Sequence, residues 1–205
     1  MLKQLFSSSV LFLSLSMGFT VLVSCAGKPT MISSGAQIFR LNSKAKVTDK
    51  LNSESHTIDL SVVNDPQRAL RIDVTALLGY RVAEMVMSAK QIQYIDRENK
   101  VFVTGGFRSQ TLKPLFGQEI DPKLIWAIAN EQPLKDGHYY GAEIKSELLE
   151  KKENGFQSRK ITIENSKLKL IWLFKSKEAI SLDSSSYNET FVLTQPIEYK
   201  LINIK

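Results

Sequence analysis

One cysteine and two histidines are all that this 205-residue sequence offers of the side chains that most often carry nucleophilic or metal chemistry. Cys25 has no second thiol to pair with, so no internal disulfide forms. His56 and His138 lie far apart, without the close spacing (HExxH and its relatives) that sets two ligands on one helix face. There is no GxSxG elbow to present a serine. Gly105-Gly106 reads as a bend rather than a loop that cradles phosphate. The basic residues are scattered, with no run of four, and no zinc-finger, RNP or helix-turn-helix pattern accompanies them. A net charge of +6 therefore points to a solvated surface or an anionic lipid headgroup, and not to nucleic acid. No cofactor and no metal is expected, and the chain does not read as an enzyme. Its acidic residues fall on alternating polar faces, where solvation accounts for them.

Charge is also missing from the start of the chain. After Lys3 the stretch LFSSSVLFLSLSMGFTVLV (5–23) carries none, which is the pattern of a secretory signal peptide over residues 1–24. A membrane-spanning helix is the rival reading, but serines dilute the run and no basic cluster follows it. The run ends in LVSCAG, which resembles the lipobox of bacterial lipoproteins: Leu22, the small Ser24, then Cys25. That resemblance implies cleavage before Cys25 and lipidation of it, with a palmitate-type acyl anchor. Multiple acyl chains hold a protein to a bilayer stably where one is marginal. Ala26 in place of Asp implies onward transport to the outer membrane of a Gram-negative bacterium. Residues 25–35, with AGKPTMISSG, read as a lipidated N-terminus and short tether.

The remaining segment, 36–205, is globular in composition and has no internal repeat. Period-two alternation predicts strands at KAKVTDKL (44–51), HTIDLSVV (56–63), ALRIDVT (69–75), VAEMVMS (82–88), QIQYIDR (91–97) and KVFVTGG (100–106). Two short helices are expected next. One is SQTLKPLFG (109–117), with Ser109 as its cap. The other is DPKLIWAIANEQP (121–133), with Asp121 capping and Leu124, Ile125 and Ile128 on one stripe. DGHYYG is turn-like. Strands resume on both sides of the Asn154-Gly155 hairpin signal, then in KLKLIWLFKSK (167–177), AISLD (179–183) and ETFVLTQPIEYKLINI (189–204). Six strands, two helices and about five strands describe an α+β fold: a strongly curved antiparallel sheet with short helices on its concave face, enclosing an apolar cavity.

TALLGYR (75–81) sits at a hairpin turn, yet places two leucines there. They either fold back on the core or project as an exposed tip. The run LRIDVTALLGYRVAEMVMSAKQIQYIDRENKVFVTGG (70–106), with PLFGQEIDPKLIWAIAN, SRKITIEN and KLKLIWLF, resembles LolB-type outer-membrane lipoprotein receptors of the LolA/LolB carrier superfamily. The resemblance implies a half-barrel of about eleven strands with helices as a lid. Acyl chains of lipoproteins or other lipids would bind beneath the lid, delivered by a periplasmic LolA-like carrier and passed to the outer-membrane bilayer. Leu77, Leu78, Gly79 and Tyr80 are then the membrane-insertion loop. The cavity and lid fall to Ile72, Val74, Met85, Met87, Ile92, Tyr94, Leu124, Ile125, Ile128, Leu170 and Trp172. No residue marks a polar lock for such a lid. An alternative is a lipoprotein of the same fold that binds another amphiphile or scaffolds an envelope complex. An envelope hydrolase is the weakest reading, because no nucleophile and base pair up.

Overall fold

A computed structural model describes residues 37–76, 79–116, 119–139, 141–152 and 155–204. The expected signal peptide and tether (positions 1–36, with Cys25), Leu77, Leu78, Gly117 and Asn154 lie outside the described residues. Eleven strands form one open sheet: β1 (Phe39–Asp49), β2 (Glu54–Asp65), β3 (Ala69–Thr75), β4 (Arg81–Ser88), β5 (Gln91–Asp96), β6 (Val101–Gly106), β7 (Gly137–Tyr139), β8 (Ala142–Lys151), β9 (Gln157–Glu164), β10 (Leu168–Ala179) and β11 (Lys200–Ile204). Their spatial order is β11-β6-β5-β4-β3-β2-β1-β10-β9-β8-β7. Every pairing is antiparallel except β11 on β6. The first six strands are a meander, because short turns join neighbours and the alternation fixes which face each residue takes.

Register turns that alternation into rows. Leu41, Val62, Ile72, Met85, Tyr94, Val103 and Ile202 lie side by side across seven strands. The next row runs Asn64, Leu70, Met87, Ile92, Gly105 and Ile204. Helices α1 (Ser109–Phe116) and α2 (Pro122–Ala129) cover this face. Gly105 lets α1 approach, for a Cβ there would stand 2.7 Å from Thr111 Oγ1. Asp121 caps α2 as expected, accepting from the Lys123 amide at 2.8 Å, with Pro122 opening the helix. Ser109 does not act as a cap of this kind; its hydroxyl bonds Glu119 at 3.3 Å.

The C-terminal part departs from expectation. AISLD is not a strand: β10 ends at Ala179, and Asp183 instead caps a third helix, α3 (Ser184–Phe191). Only Lys200–Ile204 of the last expected strand pairs. DGHYYG, expected as a turn, holds the short β7. Helix α3 lies on the face opposite α1 and α2, where Phe191 and Tyr187 pack with Ile38, Val63 and Ala69. The helices are therefore divided between the two faces and do not all share one. Burial and a 3.0 Å hydrogen bond to buried Asp65 push the Tyr187 hydroxyl up to about 12. Leu193 then packs on Val86, Ile95 and Phe102 along the same face. All three apolar clusters are built from residues 38–204, so this segment contains its own core.

Beneath α3 lies a charged knot. Glu84, buried on β4, takes Arg71, Arg81 and Arg97 on its two oxygens. Arg71 also bonds Asp73 at 2.9 Å and the Thr190 carbonyl at 3.0 Å, tying α3 to the sheet. The Glu84 contact raises the Arg97 pKa. Glu84 is thus not a solvated acid of a polar face.

Candidate functional site

The eleven residues expected to line a cavity come together in one apolar layer between the sheet and α1/α2. Ile72, Met85 and Tyr94 are neighbours in one cross-strand row, and Met87 faces Ile92 in the next. Trp172 is brought beside them by β10, paired with Ala45 of β1; Leu170 lies two residues earlier on the same strand face. Leu124, Ile125 and Ile128 descend from α2. Nine of the eleven are buried, while Val74 and Leu170 are half-buried at its margin. Each large side chain removed from water here contributes about 1.5–3 kcal/mol.

This layer is filled by its own side chains. A cleft lined by Glu119, Ile120, Leu124, Ala142, Ile163 and Leu168 has a volume of about 20 Å³, room for about one water. Ligand pockets of drug size reach about 300–1,000 Å³.

What holds α2 was not expected from the sequence. Its C-terminal end is tied by polar groups from three strands. Buried Asn64 on β2 donates to the Ala129 carbonyl at 3.2 Å and to Asn130 Oδ1 at 3.1 Å. Buried Arg159 on β9 donates through Nη2 to the Ile128 carbonyl, with its guanidinium 4.7 Å over the Phe174 ring. Phe174 stacks in turn on Trp172, at 4.9 Å between centroids. Lys177 on β10 pairs with Glu131, just past the helix. Cations at a helix C-terminus meet the negative end of its dipole. Burial lowers the Arg159 pKa, with Glu131 acting against that shift. The Asn64 Oδ1, Arg159 Nε and Tyr94 hydroxyl have no partner among the described residues. Burial pushes the Tyr94 hydroxyl up. The N-terminal end of α2, by contrast, adjoins the cleft.

Arg159→Met removes this tie at nearly constant volume. A hydrogen bond from a charged group contributes about 1.5–3 kcal/mol, so amide exchange in the last turn of α2 is expected to quicken about tenfold to a hundredfold. Exchange in the β1–β5 strands should stay as it was. Mass-spectrometric hydrogen exchange reads both, and uniform exchange would remove the tie from the account.

Of the loop residues, Gly79 and Tyr80 are described. The Ala76 amide donates to the Tyr80 carbonyl at 2.9 Å and closes the loop, Gly79 has φ +80°, and Tyr80 is 70% exposed. A positive φ of this kind suits glycine. His138 on β7 and His56 on β2 are exposed and stand in separate parts of the sheet. Compared with known proteins, the sequence matches no family model and no curated protein.

Proposed function

We propose that the chain is an outer-membrane lipoprotein receptor: a half-barrel, anchored through lipidated Cys25, that accepts acyl chains of lipoproteins under its lid and passes them into the bilayer. The observation that carries this reading is the mounting of α2. The helix covers an apolar face, is fastened at one end by Asn64, Arg159 and Lys177, and adjoins a cleft at the other. Such a helix can swing at its N-terminal end while its C-terminal end stays attached.

The cleft lies where β8, β9 and β10 meet the turns at positions 141 and 165, the end of the sheet that also carries the β3–β4 loop. An acyl chain leaving there emerges at the end of the sheet that carries the β3–β4 loop. Transfer needs no covalent step. The chain passes from carrier to apolar layer to bilayer, so little hydrophobic energy is lost on the way. The free Tyr94 hydroxyl can donate to the ester or amide that heads the acyl chain. Cells depleted of the protein are expected to leave outer-membrane lipoproteins in the periplasm or inner membrane, read by fractionation. Correct placement of every lipoprotein would sink the receptor reading.

The filled interior favours a second reading, a lipoprotein of this architecture that binds a smaller amphiphile or none. Mass spectrometry of lipids co-purifying with residues 26–205 separates the two. Mixed glycerolipid or acylated peptide supports transfer; one small ligand supports the alternative.

A further inference from the structure

Large apolar side chains are exposed at few places among the described residues, and three of those places are turns at one end of the sheet. Leu51, at the β1–β2 tip, is 71% exposed; Tyr80 closes the β3–β4 loop; Ile197, in the turn before β11, is fully exposed. The pairings put them at that end. Asp49 faces Glu54 where β1 turns into β2, Thr75 faces Arg81 where β3 turns into β4, and Lys200 enters the sheet beside Val101, the first residue of β6. Neighbouring strands lie about 4.8 Å apart, so the tips are spread along roughly 25 Å of edge.

Strands β1 and β2 run five residues past β3, since Asp59 and not Glu54 faces Thr75. That step is about 16 Å at the usual rise per residue. Strands tilted by about 35–45°, as in barrel-like sheets, take up part of that step.

We propose that this end docks on a phospholipid bilayer surface through three separate tips, with Leu51 and Ile197 joining Tyr80 of the β3–β4 loop. The inference rests on the membrane-facing reading of that loop. A protein partner buries a contiguous apolar centre behind a polar rim. These tips are isolated from one another by polar turns and offer no such centre. A fluid interface takes each tip singly. Lys100 and Lys200 stand beside the tips, where their stems can lie along the interface and their charges reach headgroups, whereas Lys50 pairs with Glu164 at 2.6 Å and Arg81 with Glu84. Glu98 and Glu198 share the same turns, so apolar insertion rather than net charge supplies most of the affinity.

The test uses residues 26–205 and vesicles of phosphatidylethanolamine with phosphatidylglycerol (about 3:1), read by co-sedimentation. Leu51→Glu and Ile197→Glu are each expected to weaken partition about five- to tenfold, from loss of a partly buried side chain. Urea midpoints should not move, because both positions are exposed. Leu51→Trp and Ile197→Trp are expected to show blue-shifted emission on adding vesicles, quenched by brominated lipid. Unchanged partition in the glutamate variants, or no shift in the tryptophan variants, overturns the three-tip contact. If Leu78→Glu alone abolishes binding, the membrane-loop reading stands and this wider footprint falls. If the unaltered chain ignores vesicles while depleted cells misplace lipoproteins, the receptor reading stands and the footprint again falls.

Discussion

A chain carrying Leu78→Glu is expected to fold, to load acyl chains and to fail at delivery. Folding should survive because the loop closes through backbone: the Ala76 amide bonds the Tyr80 carbonyl, and Gly79 supplies the left-handed residue. Loading should survive because the apolar layer is built from strand and α2 residues on the covered face of the sheet. Delivery should fail because a leucine entering the bilayer interface gains up to about 1.5–3 kcal/mol, which a carboxylate forgoes. That difference alone is a factor of about 10–100 in partition. Transfer of an acylated peptide from a carrier into vesicles, followed beside circular dichroism and lipid loading, measures all three properties. Undiminished delivery would make TALLGYR a structural corner whose leucines serve the core.

The largest loss of stability is expected from Glu84→Ala. Glu84 is buried and draws Arg71, Arg81 and Arg97 together; Arg71 is nearly buried as well. Removing the carboxylate leaves partly desolvated guanidinium groups facing one another. Breaking a buried pair in this way costs about 3–5 kcal/mol. The effect reaches α3, because the same Arg71 holds the Thr190 carbonyl. Urea denaturation should show a lower midpoint with the slope preserved. A change under about 1 kcal/mol, the worth of a surface pair, would mean that the three arginines are held by water.

The sheet was legible because most of its strands show alternation, and alternation survives whatever covers them. Ile72, Met85 and Tyr94 could be assigned to one face before their register was known. Helix α3 was not legible. SSSYNETF has no apolar stripe, and Phe191 is its buried residue. Its one local cue is Asp183, whose side chain takes the Ser186 amide at 2.7 Å. Glu84 was misread for the same reason, since without α3 its side of β4 would face water.

The polar ties of α2 had left a trace in the pattern. Arg159 continues the inward register of Ile161 and Ile163, and Asn64 continues that of Leu60 and Val62. A polar residue that keeps step with an apolar face is a candidate for a buried role. What sequence could not supply is the carbonyl it meets, which belongs to a helix some thirty or more residues away.

In the proposed receptor, the direction of β1 sets a length constraint on anchoring. Phe39 begins the strand at the end of the sheet away from the tips, and eleven residues separate the two ends, about 36 Å at the usual rise. From position 25 to position 37 an extended backbone spans at most about 40 Å. A lipid on Cys25 and the apolar turns can therefore share one leaflet with the strands upright only when the leash is drawn almost taut. With any slack, the domain leans over. An anchor so placed would work as a compass as well as a mooring, coupling the depth at which the tips dip to the angle at which the sheet stands.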